Sequence, residues 1–190
     1  RFDGRLLNSP NDLDIHSSGA VFFTDPPYGL PPDAWDEHRE QEKNGVYRVD
    51  PDGRVFLLSA VIEFPNGIAL SPDERHLYVA ESYWDAVPAI HRFNVDAEGN
   101  LSNRTVFYEF GDLRAYGDFG CDGMAMDEDG NLWTTSPMGV AIINPEGSLL
   151  GTIVTRRRTA NCAFGGPDRS VLYITADDLL LRVQTRTRGK

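Results

Sequence analysis

The sequence predicts an all-β propeller of four-stranded antiparallel blades, and three observations carry that prediction. Ser9-Pro10-Asn11-Asp12 returns in altered form as Pro65-Asn66-Gly67, Cys121-Asp122-Gly123 and Ala160-Asn161-Cys162. Each copy leads through an apolar run and a Gly- or Asp-rich turn to a second run: Val21-Phe22-Phe23, Leu77-Tyr78-Val79, Leu132-Trp133-Thr134 and Leu172-Tyr173-Ile174. From the Asn or Asp to that second run the spacing is 10, 11, 10 and 11 residues. No convincing helical pattern lies between the copies. Self-similarity recurring every roughly 40 to 56 residues, with several short strands per period, is what radially repeated blades produce. A sandwich would carry shorter turns and no recurring marker.

Taken in order, residues 2–7 read as an orphan strand without a partner in its own sheet. The first blade follows with strands at 13–15, 20–24, 45–49 and 55–58, the turns falling at Ser17-Ser18-Gly19 and Asp50-Pro51-Asp52-Gly53. Residues 25–43 interrupt it with Pro26-Pro27, Pro31-Pro32 and a charged run, a stretch without strand period that is long for a connection and reads as a lid-like loop. The second blade is expected at 68–70, 77–80, 90–95 and 105–110, and the third at 124–126, 132–135, 140–143 and 149–154. The fourth has 163–164, 171–175 and 179–183 and lacks a fourth strand. Because an N-terminal strand often completes the last blade of a ring, the orphan strand and the three-stranded blade read as complementary, in either a closed four-bladed ring or an arc cut from a larger one. The whole chain, 1–190, is then one propeller domain.

At 190 residues the chain can bury about two-thirds of its unfolded surface, so no disulfide staple is required. Cys121 and Cys162 therefore read as small buried packing residues. A net charge of −11 and a pI near 4.7 argue against nucleic acid or an anionic membrane as partner, since both select basic patches. No run approaches the roughly 20 apolar residues of a membrane-spanning helix. No signal-peptide pattern is present, but the chain opens at Arg1 without an initiator Met, which leaves cytoplasm and periplasm both open, as it does the oligomeric state.

In a propeller the residues that open the innermost strands converge on the axial mouth. Asn11, Asn66, Asp122 and Asn161 would bring one carboxylate and three amide oxygens together, a hard donor set suited to Ca²⁺ or Mg²⁺ more than to Zn²⁺. Asn and Asp also open strands merely to satisfy turn backbone, and Asn161 is read that way. A divalent metal at the mouth could polarise a carbonyl and activate water for ester hydrolysis, with Asp122 as general base. Tyr28 and Trp35 are placed at the pocket by their position in the loop alone.

Other candidates read as structural. His16, His38, His76 and His91 lack metal spacing, and no Ser sits in a nucleophile-elbow pattern. Asp96-Ala97-Glu98-Gly99 and Asp127-Glu128-Asp129-Gly130 lack the full register of a calcium loop and read as hairpin turns. Arg156-Arg157-Arg158 reads as a solvated edge strand.

Six segments resemble the gluconolactonase, senescence-marker protein and luciferin-regenerating enzyme family, most nearly its bacterial gluconolactonases. They are Asn8 to Asp12, Phe23 to Gly29, Asn44 to Tyr47, Pro65 to Ala69, Cys121 to Met124 and Phe164 to Asp168. The resemblance implies a six-bladed propeller, of which about four blades are present and roughly the first two are missing. It implies hydrolysis of a sugar-acid lactone with one divalent metal, most often Ca²⁺, with Mg²⁺, Mn²⁺ or Zn²⁺ as alternatives. The family's metal-binding Asn and Asp fall on Asn66 and Asp122, and its substrate- or water-contacting Asn falls on Asn11. The family's first-blade Glu ligand has no counterpart here, and Ser9 stands where some animal members carry Arg. Two rival readings keep the fold: a metal- or ligand-binding propeller or fragment without catalysis, and a strictosidine-synthase-like propeller that uses a carboxylate without metal.

Overall fold

The computed structural model describes residues 1–82, 87–111 and 120–190. Four antiparallel sheets follow one another along the chain, each with its strands in sequential order, and together they form a four-bladed propeller. The first blade comprises β1 (Leu13–Ile15), β2 (Val21–Asp25), β3 (Gly45–Val49) and β4 (Val55–Ser59). The second comprises β5 (Pro65–Leu70), β6 (His76–Glu81), β7 (Ala89–Val95) and β8 (Leu101–Glu109). The third is β9 (Met124–Met126), β10 (Leu132–Ser136), β11 (Gly139–Ile143) and β12 (Leu149–Val154), and the fourth is β13 (Thr159–Gly165), β14 (Val171–Ala176) and β15 (Leu179–Gln184).

The cores lie between blades, and strand alternation puts them there. On β5, Ile68 and Leu70 face the first blade and pack with Phe22, Val46, Leu77 and Val79. Ala69 points the other way, into a cluster with Tyr78, Ile90, Met124, Met126 and Leu132. The third interface holds Trp133, Val140, Cys162, Leu172 and Ile174. Both cysteines are free and buried in these interfaces, as their sequence context predicts. Innermost strands abut in turn, β1 and β2 on β5, β5 on β9, and β9 on β13.

The hairpin turns have a common chemistry. Asp127 is fully buried, and its carboxylate accepts from the backbone of Asp129 and Asn131, the Asn131 amide and the Trp133 indole at 2.8–3.1 Å. Asp96 makes the same contacts to Glu98 and Asn100. Both segments are therefore Asp-anchored turns, in which the leading carboxylate is taken up by the turn's own donors.

Two expectations are corrected. Residues 2–7 form no strand of the last blade; Phe2 and Arg5 close a tight turn, and the Phe2 ring packs edge-on against Tyr47 of the first blade at 5.4 Å. The local Asp3-Gly4 pair drives this, since both take positive φ. Instead, residues 185–190 run from the fourth blade across the third, where Gly189 bridges Asp127, and bring Lys190 Nζ to within 2.5 Å of Asp14 in β1. Arg156, Arg157 and Arg158 lie in the turn between β12 and β13, with Arg156 at φ 56°, because Thr155 and Thr159 hydroxyls close that loop on each other and on the Arg157 carbonyl.

On the first blade the side chains that point away from the second blade form two complete apolar rows, Leu13-Phe23-Tyr47-Leu57 and Ile15-Val21-Val49-Val55. Leu13 and Ile15 remain more than half exposed. Between β2 and β3 the strand period is lost, as expected, and the loop carries a short 3-10 turn (Pro32–Ala34) and the helix α1 (Trp35–His38). It is tied down along its length. The Gly29 amide bonds to Ser9 Oγ at 2.8 Å, the Trp35 ring lies on Phe64, and Gln41 Nε2 donates to the Phe2 and Leu6 carbonyls.

Candidate active site at the propeller mouth

The repeated corners meet where the innermost strands begin. At the second corner the β5–β6 register slips between Pro65 and Ile68, so Asn66 and Gly67 together oppose one residue of β6. A bulge of this kind re-aims a side chain, and here it turns the corner so that the Asn66 amide meets its neighbours. The Asn66-Gly67 pairing has a steric cause. A Cβ on Gly67 would stand 2.1 Å from the Asp122 carbonyl, to which the Gly67 amide donates at 3.1 Å. Gly123 repeats the arrangement: its Cβ would meet the Asn161 side chain at 2.1 Å, and its amide donates to the Ala160 carbonyl at 2.9 Å.

Three of the four converging residues are joined by side chains. Asn11 Nδ2 donates to Asn66 Oδ1 at 2.6 Å, and the Asn66 amide in turn hydrogen-bonds the Asp122 carboxylate. Asn66 is buried, Asp122 half-buried and Asn11 exposed, so the relay runs from the solvent edge into the mouth. Burial pushes the Asp122 carboxyl up to about 6; Asp12 adds to the rise, while Arg158 and the Asn66 hydrogen bond oppose it. Asn161 stands apart, its Oδ1 accepting from the Cys162 amide at 2.7 Å, the turn-satisfying role expected of it.

Tyr28 also reaches the mouth, where burial and then the Asp122 carboxylate raise its phenol above the usual range. Its hydroxyl donates to the Ser82 carbonyl at 2.8 Å, with the Phe64 carbonyl at 3.3 Å, so it is engaged with backbone rather than free. Of the histidines, His91 is buried with Nε2 2.7 Å from Glu81, His16 pairs with Glu74 at 3.1 Å, and His38 is exposed. Burial pushes the Cys121 and Cys162 thiols up to about 12, which rules them out as nucleophiles near neutral pH.

Three residues of this site were not singled out from the sequence. Asp12 accepts from the Leu13 and Ile68 amides, is raised chiefly by burial, and faces Asp122 electrostatically. Asp25 is buried and takes the Asn8 and Ser9 amides on its two oxygens at 2.8 and 2.7 Å, fixing the segment that carries Asn11. Thr24, also buried, donates its hydroxyl to the Asn66 carbonyl at 2.7 Å. Asp12 lies inside the first repeated motif, and Thr24-Asp25 begins the Thr-Asp-Pro-Pro-Tyr-Gly stretch. Position next to a site residue was the available signal, but the bonds that give these side chains a role cross between strands and blades.

In donor chemistry the mouth fits a divalent cation. Two amide groups and a carboxylate are linked there, a second carboxylate, Asp12, adds negative charge, and Arg158 opposes it. Among the described residues no three His, Cys, Asp or Glu side chains gather as a metal cluster. Nor is any helix among them long and apolar enough to cross a membrane.

Fold and mouth together define a β-propeller with a polar, oxygen-lined axial site. Residues 2–178 match the family described as SMP-30/Gluconolactonase/LRE-like region, and the chain belongs to that family. The gluconolactonase of Zymomonas mobilis is 42% identical over 194 residues, covering 99% of this chain and 53% of the relative. A solved gluconolactonase from Xanthomonas campestris superposes with a TM-score of 0.83 at 34% identity, over 100% of this chain and 60% of that one. A calcium-binding protein, regucalcin, from Agrobacterium tumefaciens gives 0.74 at 25% identity, over 95% and 62%. The chain thus spans about half the length of the gluconolactonase relative.

Proposed function

We propose that this chain carries the larger part of a lactone-hydrolysing site whose substrate is a sugar-acid lactone. The observation that carries the reading is the Asn11–Asn66–Asp122 relay, ending on a carboxyl raised to about 6. Gluconolactonase relatives and the regucalcin neighbour support the substrate class and a divalent cation, Ca²⁺ before Mg²⁺, Mn²⁺ or Zn²⁺. Asn66 and Asp122 would hold the cation, and its chemistry would be Lewis acidity toward the lactone carbonyl and toward water.

The chain's own groups do the rest. Asn11, exposed at the rim, has a carbonyl oxygen that meets no donor among the described residues and can orient a sugar hydroxyl or the attacking water. Asp122 is the general base, the carboxylate at the end of the relay, whose carboxyl burial raises to about 6 in the metal-free protein. The Tyr28 ring forms a wall of the substrate pocket, and loop 25–43 acts as its lid, excluding water from the mouth.

A pH-stat assay on glucono-1,5-lactone with and without chelator tests this. Acid release that stops on chelation, returns with added Ca²⁺ and is abolished in Asp122→Ala together with metal binding is the expected result. Turnover indifferent to chelator would favour the metal-free carboxylate chemistry of a strictosidine-synthase-like propeller. Metal binding without turnover would leave a binding propeller.

A further inference from the structure

We infer that Thr24 is a positioning residue for this site: its buried hydroxyl holds the Asn11 and Asn66 corners at the separation that links their amides. The inference rests on the proposed roles of Asn11 and Asn66, but the geometry behind it is independent of them. Successive corners are joined directly at the second and third interfaces, by Gly67 amide to Asp122 carbonyl and by Gly123 amide to Ala160 carbonyl. The joint at Gly67 requires glycine, because a Cβ would fall 2.1 Å from the Asp122 backbone carbonyl, and at Gly123 a Cβ would displace the Asn161 side chain. At the first interface the residue after the marker is Asp12, whose side chain prevents an equally close approach.

Thr24 fills the gap. The Asp12 amide donates to Thr24 Oγ1 at 3.3 Å, and that hydroxyl donates to the Asn66 carbonyl at 2.7 Å, so one oxygen stands in for the missing backbone bond. Its own backbone is fixed to the first corner from both sides, by the Asn11 amide to the Thr24 carbonyl at 2.9 Å and by the Thr24 amide to the Asp12 carbonyl at 3.0 Å. The neighbouring Asp25 clamps Asn8 and Ser9. The Ile68 amide on Asp12 and the Leu70 amide on Asp14 also tie the two blades, but Thr24 supplies the tie that lands on the Asn66 backbone itself. The position equivalent to Thr24 is Ala80 in the second blade and Thr135 in the third; the Thr135 hydroxyl accepts the Asp122 amide at 2.8 Å within its own blade, whereas that of Thr24 also donates across to the next corner.

Thr24→Val removes the hydroxyl at constant shape, and Thr24→Ser restores it. Side-chain amide resonances of Asn11 and Asn66 report the link directly, whatever the protein's activity. Expected in Thr24→Val are loss of the hydrogen-bonded shift of the Asn11 amide, weakening of Ca²⁺ affinity by about tenfold, and a fall in kcat/KM of about ten- to a hundredfold. Thr24→Ser should stay within about threefold of wild type, on the same ground of restored geometry. In the wild type the Thr24 hydroxyl proton should exchange slowly and show cross-peaks to Asn66, a measurement that stands even if Thr24→Val does not fold. Unchanged Asn11 amide shifts in Thr24→Val, equal damage in Thr24→Ser, or a rapidly exchanging Thr24 hydroxyl would overturn the inference. Wild-type inactivity on lactones would refute the lactonase reading and leave the amide result standing.

Discussion

Replacing Asp122 by Asn should stabilise the metal-free protein near neutral pH while destroying its cation site. The carboxyl is raised from 3.8 to about 6, first by burial and then by Asp12. A carboxyl whose folded-state value lies above its unfolded value binds its proton more tightly when folded. Its contribution is therefore most favourable below the unfolded value and is lost as pH climbs through about 6. At about 1.4 kcal/mol per pH unit the gap corresponds to about 3 kcal/mol, reduced to about 2 because Asp122 is only half-buried. Asn keeps the shape and an acceptor for Asn66 but cannot ionise. Urea titrations in chelator from pH 4 to 8 should show the two proteins converging at the acid end and Asp122→Asn ahead by about 2 kcal/mol above pH 7. Saturating Ca²⁺ should then reverse the order, since only the wild type gains from binding, by about 3 kcal/mol at a hundredfold excess over Kd. A gap that does not narrow toward pH 4, or a variant less stable than wild type throughout, would show that the mouth does not strain this carboxylate.

Two further outcomes follow from the packing. Gly67→Ala forces a methyl to 2.1 Å from the Asp122 carbonyl, which is backbone and cannot step aside; it should cost at least about 2 kcal/mol in urea denaturation and weaken Ca²⁺ binding by moving Asp122. Cys121 and Cys162, buried with thiols raised to about 12, should resist a thiol-titrating reagent in the native protein and react stoichiometrically in denaturant.

Much of the fold was legible because blades are local. Each strand pairs with its chain neighbour, so the alternation in Leu77-Tyr78-Val79 or Leu132-Trp133-Thr134 reports a pairing only a turn away in sequence. The repeated spacing then placed Asn11, Asn66 and Asp122 in equivalent corners, and the structure joins all three. The reading failed at 2–7 and 156–158, where an apolar or basic run resembled a strand but turn residues and loop hydroxyls decided the backbone.

The sequence by itself determined the architecture and the corner residues, since period, alternation and turn chemistry all act over a few positions. Only the tertiary structure decided how those corners talk to one another. That Asn66 sits on a bulge, that Gly67 and Gly123 are the contact points between blades, and that Thr24, Asp12 and Asp25 frame the relay depend on bonds between residues up to 56 apart. The Asp122 carboxyl is raised for the same reason. Desolvation and a neighbouring charge exist only once four separate strands have been brought to one mouth.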